Sequence, residues 1–183
     1  MKKVLVSLAA YVVVFAPSID ASSLLPTARA QSIRPTEQVL QNFDTQNDLP
    51  DPNIIFSLVN QERGKSGAEA LRPSPLLTNI AKKRAADMQH NDYYAHQSPD
   101  GSFYYDSLVG SQYSNVYSCE NLDLRFDKTN KGFVADWLGS TPHKKCLLNP
   151  DVARAGYAVV ELKQDSSGQG ISSYIVVAIH AAE

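Results

Sequence analysis

The sequence has 183 residues, and its 17 lysines and arginines are nearly balanced by 19 aspartates and glutamates, which gives a formal net charge of −2 at pH 7. No basic stripe is present, so the composition gives no indication of a nucleic-acid partner. The length suits one domain with a substantial hydrophobic core. The function therefore has to be sought in individual motifs.

The N-terminus has the pattern of a secretory signal. A short basic start is followed by an apolar run over residues 4–16, which is too short for a comfortable membrane span. The Ala-x-Ala motif at 28–30 predicts cleavage before Gln31, so residues 1–30 are predicted to be a signal peptide. Cleavage near Ala21 and an uncleaved anchor are the alternatives. We expect a secreted or extracytoplasmic protein with no stable membrane span after cleavage.

The rest of the chain divides into a polar arm and one domain. Residues 31–50 are polar and weakly periodic, which is typical of a linker or flexible arm. The domain is assigned to residues 51–183. It opens with Asp-Pro at 51–52, an N-cap residue followed by proline at the first helical position. Apolar residues at helical spacing follow, and this first helix is predicted to end at Gly64 and Gly67.

Two more helices are predicted from similar signals. Ser-Pro at 74–75 repeats the start signal, and an apolar stripe then continues to near Asn91. A third strong helix begins near Asn130. It is predicted to end by Thr141, because Pro142 disfavours helical geometry in the residue before it.

The C-terminal part of the chain has the pattern of β-strands. The β-branched runs 155–163 and 172–181 are joined by a Gly-rich segment and are predicted to form an antiparallel hairpin. The Tyr- and Ser-rich residues 102–118 allow only a short helix. Because helices precede strands, the predicted fold class is α+β.

Common catalytic motifs are missing from the sequence. It contains no His-Glu-x-x-His helix and no Gly-x-Ser-x-Gly elbow, and the "GKS" at 64–66 lacks the first glycine of a phosphate loop. The two cysteines, Cys119 and Cys146, form an even pair, which in an exported protein suggests a disulfide. Two free buried thiols are the alternative.

Three separated residues are candidates for chemistry. His96 precedes a turn at 98–101, Glu120 follows Cys119, and His143 follows the third predicted helix. If the cysteines pair, Glu120 and His143 lie in the same neighbourhood. From the residues alone, His96 is more simply a surface histidine and Glu120 a surface carboxylate. His143 would lie near a helix C-terminus, where the helix dipole favours a charged imidazole.

Other aromatic and histidine residues have simpler interpretations. Trp137 is predicted to be a core residue. His90 is expected on the solvent side of a helix end and His180 at a strand end, neither with a functional role. Six tyrosines either line a groove or are half-buried packing residues: Tyr93, Tyr94, Tyr104, Tyr105, Tyr113 and Tyr117.

From about residue 53 to residue 180, the sequence resembles the CAP superfamily, also called the SCP-like domain. The matching segments, in chain order, are LVNQERGKSGAEAL (58–71), LLTNIAKKRAADM (76–88), YYAHQSPDG (93–101), CEN (119–121) and WLGSTPHKKCLLNP (137–150). No single segment is specific, but the ordered set extends over most of the predicted mature chain.

The resemblance implies a three-layer α-β-α sandwich with a central antiparallel sheet and a cleft lined by two histidines and two acids. His96 and His143 match the two histidines, and Glu120 matches the first acid. Ser140 stands where the second acid is expected, so the four-residue set is incomplete. The two cysteines depart from the family pattern together, as an additional local disulfide would. We expect His96 and His143 to face each other, with Glu120 close by.

Two functions from different classes follow from this resemblance. The first is a secreted, non-catalytic binding module whose cleft takes a lipid, a glycan, a peptide or another cell-envelope component. It requires no cofactor, but His96 and His143 offer two ligands for a divalent cation such as Zn²⁺. The alternative is a metal-dependent hydrolase centred on His96, Glu120 and His143. Because Ser140 stands where a carboxylate is expected, the binding module is favoured over the hydrolase. A purely structural envelope protein is a third alternative.

Overall fold

The computed structural model describes residues 49–164 and 171–183, so the predicted signal peptide and nearly all of the arm lie outside the described residues. The elements are α1 (Pro52–Lys65), β1 (Arg72–Pro73), α2 (Pro75–His90), a 3-10 helix (Tyr104–Leu108), β2 (Ser118–Arg125), α3 (Asn130–Gly139), α4 (Thr141–Leu147), β3 (Arg154–Gln164) and β4 (Ile171–Ala181). No helix in these two ranges is both long enough and apolar enough to cross a bilayer.

The predicted start signals of the first two helices are confirmed. Asp51 caps α1 by accepting a hydrogen bond from the backbone nitrogen of Asn53 at 2.7 Å. Ser74 caps α2 in the same way, and proline follows both capping residues. After α1, the chain leaves the helical direction at Gly67, whose φ of 79° lies in the left-handed region that favours glycine.

The sheet has four strands in the order β1-β3-β4-β2. β3 and β4 form the predicted antiparallel hairpin, with Arg154 paired to Ala181 at its open end. β2 is antiparallel to the other side of β4, while the two-residue β1 runs parallel to β3. β2 is therefore an edge strand, and the sheet is antiparallel except at β1.

Side chains alternate across β4 and form two cores. Val176 and Ala178 pack with α1 and α3, whereas Ile175, Val177 and Ile179 pack with α2. Helices therefore cover both faces of the sheet, which confirms the α-β-α sandwich. α2 approaches β3 closely at Gly156, where an added Cβ would lie 2.0 Å from the backbone nitrogen of a helix residue.

The predicted disulfide is confirmed. Cys119 on β2 is bonded to Cys146 on α4, and their Cα atoms lie 6.0 Å apart. The bond fixes the edge strand to the short helix that follows α3.

The predicted position of His143 near a helix C-terminus is wrong. α3 ends at Gly139, but α4 begins at Thr141, so His143 lies in the first turn of a new helix. Pro142 explains both observations, because it has no backbone N–H to continue α3 and is well tolerated in the first turn of a helix. The helix dipole at this end therefore disfavours a charged imidazole, the opposite of what the sequence suggested.

Candidate functional site

The candidate site is built on the edge strand β2. Successive residues of a strand point to opposite faces of the sheet, so Glu120 and Asn121 diverge. Glu120 contacts Arg84 of α2, while the Asn121 side-chain amide donates to the carbonyl of His143 at 3.0 Å. β2 thus joins elements from both helical layers.

Both carboxylate oxygens of Glu120 have partners. Oε1 accepts from Nε of Arg84 at 3.1 Å, and Oε2 lies 2.8 Å from Nδ1 of His96. The Glu120 side chain is 1% exposed, whereas that of His96 is 52% exposed. Because a carboxylate only accepts, Nδ1 of His96 is the donor to Glu120, so in the neutral form of the ring it is Nε2 that has the free lone pair.

Arg84 fixes the loop that carries His96. Besides Glu120, its guanidinium donates to the Tyr93 hydroxyl and the Ser98 hydroxyl, both at 2.7 Å. It also donates to the carbonyls of Ala95 at 2.8 Å and of His96 at 2.9 Å. All five N–H groups of the side chain are therefore used. Burial alone would lower the pKa of Arg84, but the charge and hydrogen bond of Glu120 outweigh burial and raise it.

Asp87 provides a second connection between this loop and α2. Its Oδ2 accepts hydrogen bonds from the Ser98 hydroxyl at 2.7 Å and from the Tyr93 hydroxyl. The bond from Tyr93 is the main reason why the pKa of Asp87 is lowered, so this carboxylate stays ionised. Tyr93 and Ser98 therefore hold the two sides of His96 in place.

His143 lies on the other side of β2, where it is half-buried. Burial lowers the pKa of His143, and the charge of His96 lowers it further, so the imidazole is neutral at pH 7. His96 is thus close enough to His143 to affect its pKa. The structure thus brings His96 of the loop and Glu120 of β2 into direct contact, and His143 lies near them on α4. A shared site for all three stays a prediction.

Ser140 forms the junction between α3 and α4. Its N–H donates to the carbonyl of Trp137 at 3.3 Å, and its carbonyl accepts from the backbone nitrogen of Lys144 at 2.8 Å. Its hydroxyl does not cap α4. Ser140 therefore brings neither a carboxylate nor a charge to the site.

The family of the chain follows from its match to a family model. The model of the cysteine-rich secretory protein family, CAP, matches residues 56–179, which is more than half of the chain. The chain belongs to the CAP family.

The uncharacterized protein YkwD of Bacillus subtilis is 31% identical over 107 residues, which cover 58% of this chain and 41% of YkwD. The uncharacterized membrane protein YlbC of the same species is 29% identical over 105 residues, 57% of this chain and 30% of YlbC. This CAP chain spans less than half the length of the curated relatives it matches.

Solved structures share the CAP fold. An extracellular SCP-domain protein of Bacillus anthracis aligns with a TM-score of 0.57 and 21% identity over 81% of this chain and 44% of its own. An outer surface protein of Borrelia burgdorferi aligns with a TM-score of 0.57 and 22% identity, over 72% of this chain and 92% of its own. At these identities the likeness concerns the fold.

Arg84 is the main residue of this CAP site that sequence reasoning missed. It lies on the apolar stripe of α2, one helical turn from Ile80 and from Met88. A charged residue is rarely buried unless it is paired, so an arginine on a buried face was itself a signal of a buried partner. The sequence alone did not identify that partner, because Glu120 is 36 residues away.

The six tyrosines differ in burial, and whether any of them lines a groove stays a prediction. Tyr113 is buried and donates to the Ser74 hydroxyl at 3.1 Å, so it is a packing residue. Tyr94, Tyr105 and Tyr117 are 45–47% exposed. Burial of the hydroxyl raises the pKa of Tyr94 to about 12, with further contributions from the charges of Asp123 and Glu120. Tyr94 therefore lies near the candidate site on the β2 edge.

Metal-ligating residues converge elsewhere in the described part of the chain. The ligand atoms of Cys119, Cys146 and His180 lie within 4.8 Å of one another. Within residues 49–164 and 171–183, His96, Glu120 and His143 do not form such a group. Since the two cysteines are disulfide-bonded, the converging set has no free thiolate in this state.

His180 is a fully buried residue of β4, although the sequence predicted only a strand-end residue. Its Nε2 lies 2.8 Å from the Tyr157 hydroxyl, and its Nδ1 lies 3.5 Å from Sγ of Cys146. Burial lowers the pKa of His180 to about 3, and the charge of Arg63 adds to the shift. His180 is therefore neutral in the folded protein throughout the mildly acidic range.

We expect His180 to make the fold sensitive to acid. As the pH falls through about 6.5, this histidine takes up a proton in the unfolded chain but not in the folded one, so stability is lost. Between pH 7 and pH 5, His180 alone should account for a loss of about 2 kcal/mol in the free energy of unfolding. Urea denaturation at both pH values should show that His180→Gln loses correspondingly less stability than the wild type. An identical pH dependence in both proteins would contradict this role.

Proposed function

We propose that the chain is an exported CAP domain that binds a small ligand beside His96, Glu120 and His143 without catalysing a reaction. The observation that carries this proposal is the complete engagement of Glu120, whose two oxygens are bound to Arg84 and His96. A hydrolase would need this carboxylate as a metal ligand or as a general base. A buried carboxylate bound to a guanidinium is poorly suited to either role, which favours binding over the hydrolase alternative.

The two imidazoles are suited to recognising a ligand. Glu120 orients His96 so that Nε2 remains available, which is the arrangement that carboxylates commonly impose on ligating histidines. His143 is neutral for the reasons given above. Such nitrogens accept hydrogen bonds from a hydroxyl or amide of the ligand, or hold a divalent cation. Because Ser140 adds no charge, such a cation would be held weakly.

Half-exposed tyrosines support a ligand with both apolar and polar groups. Tyr94 is an electrostatic neighbour of Glu120, and the buried part of the Tyr104 ring is likewise close to Glu120 and Tyr117. Rings with polar tips suit a glycan, a peptide or a lipid headgroup. Export is supported by the signal-like N-terminus, by the disulfide, and by relatives described as extracellular or as an outer surface protein.

Zn²⁺ is a practical probe of the two imidazoles. Calorimetric titration of the disulfide-bonded protein should show weak binding at pH 7, and both His96→Ala and His143→Ala should weaken it at least about tenfold. His90→Ala, at the exposed end of α2, is the matched control and should leave binding unchanged. Affinity should fall in acidic solution, because protonated imidazoles cannot ligate, and the lowered pKa of His143 means that this ring is protonated only below its ordinary value of about 6.5.

Two results would contradict the proposal. Unchanged Zn²⁺ binding in either His96→Ala or His143→Ala would exclude a shared ion site. Hydrolysis of a peptide or ester probe that stops on chelation and is lost in His96→Ala would show that the domain is an enzyme.

A further inference from the structure

We propose that the reduced form of this chain binds a thiophilic divalent cation, Zn²⁺ in the first instance, through Cys119, Cys146 and His180. The disulfide and the metal would then be alternative states of one site. This site uses none of the residues of the proposed ligand cleft.

The ligand atoms are already arranged for such a metal. All three lie within 4.8 Å of one another, and Nδ1 of His180 is 3.5 Å from Sγ of Cys146. With Zn–S near 2.3 Å and Zn–N near 2.0 Å, two tetrahedral ligands are separated by about 3.5 Å. The histidine and one cysteine therefore have the required separation before any metal is bound. Only Cys119, which is half-buried on the edge strand, has to turn aside once its bond to Cys146 is broken.

Tyr157 holds the histidine in a ligating orientation. Its hydroxyl lies 2.8 Å from Nε2, and the two rings meet edge to face with centroids 5.5 Å apart. Both residues are buried, so the imidazole is held with Nδ1 towards the sulfur atoms. A hydrogen-bonding partner on the second ring nitrogen is a usual feature of ligating histidines.

Charge balance also favours a metal at this position. A dithiol reductant supplies two electrons and two protons: the Cys119–Cys146 bond breaks, two thiols form, and the reductant becomes a disulfide. Zn²⁺ then displaces both thiol protons into solvent. Two thiolates, one neutral imidazole and the cation sum to zero charge, which lowers the cost of burial beside the positive charge of Arg63. A fourth ligand such as water would complete the tetrahedron.

Cobalt makes the experiment specific, because thiolate ligation to Co²⁺ gives a charge-transfer absorption that histidine ligation lacks. We expect the full chain, reduced with a non-chelating phosphine under anaerobic conditions, to develop this band with one equivalent of Co²⁺ and to lose it when Zn²⁺ is added. The disulfide-bonded chain should show no such band. His180→Gln, which keeps a group for Tyr157 to bond, should weaken Co²⁺ binding at least about tenfold.

The cleft variants separate this site from the proposed function. A His96→Ala/His143→Ala chain should keep the cobalt band, even if its weak Zn²⁺ binding in the oxidised state is lost. If reduction loosens the fold, one equivalent of Zn²⁺ should restore the circular dichroism of the native protein. A reduced chain that neither develops the band nor regains native structure would overturn the proposal, as would a His180→Gln chain with wild-type affinity.

Discussion

Replacing Arg84 with methionine should lower the free energy of unfolding by about 3–5 kcal/mol, because the substitution leaves a buried carboxylate without its cation. The Glu120 side chain is 1% exposed and loses the Nε partner at 3.1 Å. The carbonyls of Ala95 and His96 lose their donors at the same time. Urea denaturation measures the effect directly.

The neighbouring Lys83 provides a matched control, since it is exposed on the same helix. Lys83→Met should change stability by less than about 0.5 kcal/mol. Arg84→Lys keeps a positive charge near Glu120 but cannot reach the loop carbonyls as well. Its loss of stability should therefore lie between those of Arg84→Met and Lys83→Met. Arg84→Lys should also increase proteolysis within residues 93–98. Equal stability of Arg84→Met and Lys83→Met would show that the Glu120 pair does not stabilise the fold.

Arg63 should contribute nearly as much to the free energy of unfolding as Arg84 does. No carboxylate binds Arg63 among the contacts of the described residues. Its side chain is fully buried and donates to the carbonyls of Glu69, Leu147, Asn149 and Val152 at 2.8–3.0 Å. Burial lowers the pKa of Arg63, because a buried cation loses its hydration. Arg63→Met removes the donors of four carbonyls, so we expect a loss of at least about 3 kcal/mol.

Thermal and urea denaturation of three variants test this expectation. Lys65→Met changes the last residue of α1, which is largely exposed, and should cost no more than about 1 kcal/mol. Arg63→Lys keeps the charge but not the forked geometry, and should lose most of the stability that Arg63→Met loses. If Arg63→Lys were as stable as the wild type, charge alone would explain the role of this residue.

Local chemistry made much of the fold predictable. The capped starts at Asp51 and Ser74 follow from side chains and prolines next to each other in sequence. The β3–β4 hairpin follows from two β-branched runs, and its pairing was correct. β2 is harder to recognise from its residues, because polar side chains such as Asn121 lie on a strand whose partners are far away in the sequence.

The candidate site was harder to predict from the sequence for the same reason. Local signals singled out His96, Glu120 and His143, but the expectation that all three share one cleft came from the family resemblance. The bond between His96 and Glu120, and the arginine that supports it, depend on contacts 24 and 36 residues apart. α4 was missed because one proline ends a helix and begins the next within three residues. Burial of His180 depends on the packing of β3 and β4, which a pattern of β-branched residues does not specify.

Both buried arginines bind main-chain carbonyls, and this has a consequence for how the protein can diversify. Arg84 fixes the path of the loop at Ala95 and His96 through groups that every amino acid possesses. Tyr94 and Ala95 are exposed on that path, so natural variation or laboratory selection can exchange their side chains while the loop keeps its course. Under the binding function proposed above, ligand specificity could thus be evolved on one unchanged scaffold, provided that the arginine is retained.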